Sequence, residues 1–285
     1  MALSQVANSI RRIVRNPHVS SAPALGRYAS WQARRALRLF PTELPLSRST
    51  LIAPSGRCGV SSLVNSCGLY DYNNMRLVQE LLQEGGDFID IGANIGSYTL
   101  VASEQPSARV LSIEPHPLTF AHLERNIARN RRQNVVAVRA AVGATHGSVT
   151  ITDTPGSSVT HITRDGSGLM VPLLRMDELL AQTGFRPDVV KIDVEGFEAG
   201  VLLGFGERLK DARVVLVEIN ALGAQRESPP DEVGAILQRA GFLAPRFFDW
   251  SARRLAKEPV EVAEDPVCIH SSYLPALAGS ISFEA

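Results

Sequence analysis

The residues of this 285-residue chain best suited to chemistry are acids that end short apolar runs. Phe88, Ile89, Asp90 and Ile91 form one such run, followed at once by Gly92, Ala93, Asn94, Ile95 and Gly96. The pattern reads as a buried strand entering a tight turn, with a helix starting at Ser97. Glycines in such a turn let backbone amides approach a nucleotide-like ligand without Cβ interference. A plain strand-to-helix turn needs glycines for geometry but no acid at the strand end, so Asp90 is the informative residue. Its spacing, Asp-x-Gly-x-x-x-Gly, departs from the Gly-x-Gly-x-x-Gly dinucleotide fingerprint. There the turn faces a pyrophosphate, which a carboxylate would repel. An acid at the mouth suits a ligand that is cationic at that point, and S-adenosylmethionine carries an ammonium and a sulfonium but no phosphate. Glu114, 24 residues after Asp90, ends a second run and is placed to accept hydrogen bonds from two ribose hydroxyls.

Further motifs share this order. Asp90-Ile-Gly-Ala-Asn-Ile-Gly96, Ile113-Glu-Pro-His-Pro117, Arg125-Asn126, Ala141-Val-Gly143 and Lys191-Ile-Asp-Val-Glu-Gly-Phe-Glu198 together resemble the FkbM-type methyltransferases. The likeness runs from about Gly68 to Asn220, and the Lys-Ile-Asp-Val-Glu-Gly block is its most family-specific piece. It implies a Rossmann-like class I methyltransferase fold, a mainly parallel seven-stranded sheet with helices on both faces. It implies S-adenosyl-L-methionine as cofactor, held by Asp90, Gly92, Ala93, Asn94, Gly96, Glu114, Pro115, Ala141, Val142 and Asp193. It also implies O-methylation of a sugar, glycan or secondary-metabolite hydroxyl.

Methyl transfer from a sulfonium is an in-line displacement, so much of the acceleration comes from positioning and from excluding water. A hydroxyl acceptor is a poor nucleophile near neutral pH and needs a base or a metal. Lys191, Asp193 and Glu195 are the catalytic candidates. On a strand, Lys191 and Asp193 point to one face. Lys191 is readable as a base, as a ligand for the acceptor oxygen, or as half of a structural ion pair with Asp193. Glu195 and Glu198 could join Asp193 around a divalent cation, but no histidine cluster supports this and no metal ligand is assigned. His116 and His161 are the remaining bases to name.

Elements must hold these residues. Residues 70–84 have a helical stripe through Met75, Val78, Leu81 and Leu82, flanked by Leu77, and begin with Tyr70-Asp71. Helices are expected at 97–104, at 118–132 with Phe120, Leu123 and Ile127 inward, at 176–182, at 198–209 and at 230–240. Strands are expected at 109–113, 135–138, 188–192 and 213–219, with 246–250 and 267–272 as a closing hairpin. Residues 149–163 read as short strands broken by Pro155-Gly156, and Ala140, Ala141 and Val142 as the adenine edge. Strands alternating with helices imply a parallel sheet covered on both faces, with ligands at strand carboxyl ends. Asp90, Glu114, Asp193 and Glu218 all fall there, and carboxylates are seldom buried unpaired.

Charge balances at 29 basic against 29 acidic residues, so no global field argues for nucleic acid. Cys58, Cys67 and Cys268 lack metal-site spacing and fit reduced thiols of a cytoplasmic protein. No apolar run approaches bilayer length. Residues 1–50 are expected to form a basic helical extension, and 51–285 the cofactor-binding domain. Seven arginines and no acid precede Glu43. Such a segment suits weak membrane-surface association, or packing on the domain or on a second subunit of a homo-oligomer through Trp31, Leu37, Leu39 and Phe40. The second reading is preferred, because Pro17, Pro23 and Gly26 interrupt a long helix. Residues 42–67, rich in Ser, Gly and Pro, are expected to cover the cofactor mouth. Two other functions compete: a non-catalytic S-adenosylmethionine-binding subunit, and a dinucleotide-dependent oxidoreductase, which Asp90 and the glycine spacing disfavour.

Overall fold

The computed structural model describes residues 3–153, 161–163, 167–219, 229–260, 265–277 and 279–284. Two helices, α1 (Leu3–Arg15) and α2 (Ser21–Ala36), precede a hairpin of β1 (Thr42–Leu46) and β2 (Ser49–Ala53), then α3 (Gly59–Cys67) and α4 (Tyr72–Leu81). The alternating part follows: β3 (Gly86–Ile91), α5 (Ser97–Ala102), β4 (Ala108–Ile113), α6 (Pro117–Arg129) and β5 (Val135–Val138). A small sheet is made by β6 (Ala141–Val142), β7 (Gly147–Ile151) and β8 (Leu169–Leu174). After α7 (Met176–Thr183) come β9 (Val189–Ile192), α8 (Glu198–Gly204), β10 (Val214–Val217) and the helix Pro230–Arg239. The chain closes with β11 (Phe247–Asp249), β12 (Arg254–Ala256), β13 (Val267–Ile269) and β14 (Ser282–Phe283).

The central sheet has the order β13-β10-β9-β3-β4-β5. Only β13 runs antiparallel, beside β10. From β3 the chain winds outward to β5 and then returns to the other side of β3 at β9. That reversal leaves a crevice beyond the carboxyl ends of β3 and β9, where doubly wound sheets bind ligands. Among the described residues six strands are regular, and along the outer side of β13 only the isolated bridges Phe242–His270 and Arg246–Val267 continue the sheet. The expected hairpin of 246–250 with 267–272 is thus reduced to one bridged pair, because β11 pairs with β12 instead.

Near-continuous apolar strands are what burial on both faces demands. Phe88, Val110, Val189, Val214 and Leu216 face one core, packed against α4 and α5 residues such as Met75 and Leu100. Ile89, Leu111, Val190, Val215 and Val217 face the other, against Met176 and Leu202. Period two then fixes Asp90, Ser112 and Lys191 on the α4–α5 face, in register across three adjacent strands.

The N-terminal expectations need correction. Trp31 is buried, and its ring meets Phe40 edge-on at 4.9 Å, but Leu37 and Leu39 are 69% and 55% exposed. Pro17 separates α1 from α2, whereas Pro23 and Gly26 lie inside α2 without breaking it. A proline in the first turn forfeits only an amide that has no helical partner there. The boundary expected after residue 50 falls within β2, where Thr50 exchanges hydrogen bonds of 2.8 and 2.7 Å with the Asn130 side chain. On α6, Leu123 and Asn126 are buried, while Phe120 and Ile127 are only half-buried. Asn126 takes the inward place because it bridges two elements. Its Oδ1 accepts from the Ile52 amide at 2.6 Å, and its Nδ2 donates to the Ile95 carbonyl at 2.8 Å. Pro155-Gly156 lies outside the described residues. Among the described residues, no helix is long and apolar enough to cross a membrane.

Candidate active site

The turn after β3 is shaped by three left-handed positions, Gly92 (φ +79°), Asn94 (φ +53°) and Gly96 (φ +93°). The Gly92 and Ala93 amides both donate to the Ile113 carbonyl at 3.0 Å, which ties the turn to β4. Gly96 packs so closely on α6 that a Cβ there would lie 2.6 Å from Leu123 Cδ1. At the end of β4, Glu114 accepts from the Asn94 amide at 3.0 Å and from the His116 amide at 2.9 Å. Each of its oxygens keeps one lone pair for a ligand. Burial pushes this carboxyl up to about 7, against the pull of those two amides.

These groups border a cavity of about 330 Å³. Of the residues expected from the sequence, Gly92, Asn94, Glu114, Pro115, Ala141, Val142, Lys191, Asp193 and Glu195 line it. Asp90, Ala93 and Gly96 do not. Asp90 is 1% exposed and lies beneath the turn, where the Thr99 hydroxyl donates to it at 2.7 Å and in turn meets Ser112 Oγ at 2.7 Å. Asp90 shares its face with Phe88, against α5, and its short side chain stays beneath the turn, whereas the longer Lys191, in register on β9, reaches the cavity. Burial raises the Asp90 carboxyl, opposed by the Lys191 charge.

Lys191 is buried, with Nζ 2.9 Å from Asp193 Oδ2 and 4.9 Å from the Tyr98 ring centroid. Burial works to lower its pKa, but the charges of Asp193, Asp265 and Asp90 outweigh it and hold the ammonium well above the lysine range. Of the roles open to this residue from sequence, the fixed cation is the one this environment favours. Asp193 is held below the usual aspartate range despite its burial, by the Lys191 charge and by hydrogen bonds from Lys191 and Glu218. Beyond it the chain turns sharply at Glu195 (φ +55°) and Gly196 (φ +99°). A non-glycine residue there carries strain that persists only where its surroundings impose it.

The acid group differs in membership from the one sequence spacing suggested. Glu198 is buried and accepts from the Gly196 amide at 2.8 Å, so it fastens the turn. Glu218, following β10, takes its place: one carboxylate oxygen each from Asp193, Glu195 and Glu218 lie within 4.8 Å of one another. His161 lines the cavity; His116 does not, and its Nε2 lies 3.5 Å from Asp153 Oδ1.

Several lining residues were not assigned from sequence. Tyr70 and Asp71, just before α4, reach the cavity, where Tyr70 hydroxyl lies 3.1 Å from Ser97 Oγ and the Tyr98 hydroxyl donates to Asp71. Their signal was their place ahead of an amphipathic helix, in the slot where the family resemblance implies an aromatic residue followed by an acid, here Asp rather than Glu. Asp265, before β13, carried none. From α3, Gly59, Val60 and Leu63 form part of the wall, so the 42–67 segment contributes to the mouth through its helix. Its hairpin packs instead against α6.

The model of the Methyltransferase FkbM domain matches residues 90–244. The chain belongs to the FkbM methyltransferase family. Three named relatives align with it. Hexuronic acid methyltransferase AglP of Haloferax volcanii is 32% identical over 149 residues, 52% of this chain and 61% of that protein. Methyltransferase 1 of Beauveria bassiana is 26% identical over 144 residues, 42% of this chain and 58% of that protein. Methyltransferase sdnD of Sordaria araneosa is 28% identical over 191 residues, 54% and 72% of the two chains. The chain thus spans about three fifths of the length of the first two.

Proposed function

We propose that this chain is an S-adenosylmethionine-dependent O-methyltransferase acting on a hydroxyl of a sugar, glycan or secondary metabolite. The observation that carries this reading is the Glu114 carboxylate, fixed by two backbone amides beside the glycine turn, at the mouth of a crevice between β3 and β9. The residues present suit such a cofactor. Glu114 offers acceptors to a ribose, Ala141 and Val142 offer an apolar edge to an adenine, and acids rather than a phosphate cradle border the rest. Gly92, Asn94 and Pro115 complete that wall, while Asp90, Ala93 and Gly96 support it from beneath. Family membership and the activity named for the Haloferax relative agree with methyl transfer to a carbohydrate.

When bound, the cofactor supplies an electrophilic methyl group on a sulfonium. The chain's own residues must orient the acceptor, exclude water and receive a proton. Lys191, held as a cation, keeps Asp193 ionised and aimed. Asp193 then accepts the hydrogen bond of the attacking hydroxyl, and the single proton released as the oxygen gains its methyl goes to one carboxylate of the Asp193–Glu195 pair. The same reading has the protein act in the cytoplasm on a small-molecule or glycan acceptor, without nucleic acid.

Calorimetric titration with S-adenosylhomocysteine and with NAD, followed by methyl transfer to a panel of glycans and aglycones, tests this. Binding of S-adenosylhomocysteine with methylation of at least one acceptor supports it. A chain that binds only the dinucleotide sinks it, and cofactor binding without transfer across the panel favours a non-catalytic subunit.

A further inference from the structure

Positive charge and exposed apolar surface coincide in the N-terminal segment. Seven of the 29 basic residues, and none of the 29 acids, precede Glu43. The first 42 residues therefore carry seven formal positive charges, while the other 22 basic residues stand against all 29 acids. Balance over the whole molecule hides this asymmetry between its parts, which favours an anionic surface as partner. Of the ten large apolar side chains exposed among the described residues, four (Ile10, Val14, Leu37 and Leu39) lie in the same segment, less than a sixth of the chain. Single exposed leucines need no explanation, but a concentration of them beside arginines does.

The helices set these residues in rows. Ile10 and Val14 are one turn apart on α1, as are Arg11 and Arg15 beside them, and all four are exposed. Ile13 turns inward, clustered with Ala24 and Tyr28 of α2. At the far end of α2, Arg34, Leu37, Arg38 and Leu39 are again all exposed. The aromatic rings of α2 are not: Tyr28 and Trp31 are buried. Arg27 ties α2 to the Ser66 carbonyl and Trp31 joins the main core, so the cofactor-binding domain itself carries this face.

We infer that α1 and the end of α2 form a docking surface for an anionic lipid membrane, on which the protein sits without crossing it. A bilayer accounts for both features: its negative surface potential draws the guanidinium groups, and the isoleucine, valine and leucines enter the acyl boundary. A nucleic acid would use the charge but leave the apolar rows in water, and α2 offers no exposed aromatic ring for bases to stack on. A second copy of this chain, joined through the same patch, would press arginine on arginine. Membrane docking goes beyond the methyltransferase reading and does not depend on it.

Co-sedimentation of the full chain with vesicles of phosphatidylcholine alone, and with vesicles about one third phosphatidylglycerol, tests this at about 0.1 M and about 0.5 M salt. Expected is at least about tenfold stronger partitioning onto the anionic vesicles at the lower salt, and a clear loss at the higher. Leu37→Ser with Leu39→Ser, and separately Arg11→Gln with Arg15→Gln, should each weaken that binding at least about threefold, with the circular dichroism spectrum and the urea midpoint unchanged. Equal partitioning onto both vesicle types, binding to neither, or full binding by either variant overturns the inference. So does tighter binding of a single-stranded RNA oligonucleotide than of the anionic vesicles, or a dimer in solution that Leu37→Ser with Leu39→Ser dissolves.

Discussion

A Cβ placed on Gly92 would stand 1.8 Å from the carbonyl oxygen of Asp193. The turn after β3 and the turn after β9 are therefore in backbone contact, and the glycine that opens one is the seat of the other. The Asp193 amide completes the junction by donating to the Ile91 carbonyl at 3.0 Å. The glycine turn and the Asp193 backbone are thus joined directly.

Gly92→Ala is expected to separate them. The added methyl meets backbone, which cannot swing aside, and the φ of +79° disfavours any side chain. A loss of about 3 kcal/mol in urea unfolding is expected, together with loss of S-adenosylhomocysteine binding. Gly184→Ala is the control: its φ is +70° but nothing lies within 4 Å of the new Cβ, so about 1 kcal/mol should be lost and binding kept.

Lys191→Met removes the cation that three acids surround. Breaking a buried pair from one side leaves uncompensated charge, at a cost of about 3 kcal/mol. Because the folded state holds this ammonium above the lysine range, its contribution is complete below that range and fades only as strongly alkaline pH is reached. A pH–rate profile for methyl transfer should accordingly show no lysine ionisation on its basic limb. A limb that vanishes in Lys191→Arg would instead identify the lysine as the base.

Glu114 sets an acidic-side dependence of opposite origin. Its folded value of about 7 lies above the ordinary 4.5, so the folded protein holds the proton more tightly than the unfolded chain. The contribution is complete below about pH 4.5 and is lost as pH rises towards about 7. Glu114→Gln should flatten the urea midpoint over that interval. The same change should weaken S-adenosylhomocysteine binding about tenfold, since an amide offers a ribose fewer acceptors. An unchanged midpoint profile would contradict the burial argument.

The N-terminal helices reach the site through one wall. Arg27 on α2 donates to the Ser66 carbonyl at the end of α3, at 2.9 Å from Nε and 2.6 Å from Nη2, and the Asn65 side chain donates back to the Arg27 carbonyl at 2.8 Å. Since α3 lines the cavity, Arg27→Ala is expected to raise the acceptor KM several-fold with cofactor affinity unchanged, at about 1 kcal/mol of stability. Equal changes in both constants would mean the helix pair merely supports the fold.

Local pattern was enough to place the parallel strands of the central sheet, the glycine turn and the acids at their ends, but not the hairpin at its edge. Alternation within Phe88–Ile91, the positive-φ glycines and the helix Pro230–Arg239 with its opening proline all depend on neighbours in the chain. Which way each acid points does not. Asp90 went beneath the turn because β3 pairs in register with β4 and β9, which puts it on the face packed by α5, whereas Glu114 and Asp193 lie just past their strands and escape that packing. Asp71, Glu218 and Asp265 come together from segments nearly two hundred residues apart, a meeting that only the winding order of the sheet creates. The protonation of Lys191 was undecidable from its type, since burial and three acids pull it in opposite directions. Sequence alone determined that an acid-edged glycine turn opens a crevice here; the tertiary structure decided which carboxylates face that crevice, because register and burial belong to the folded chain alone.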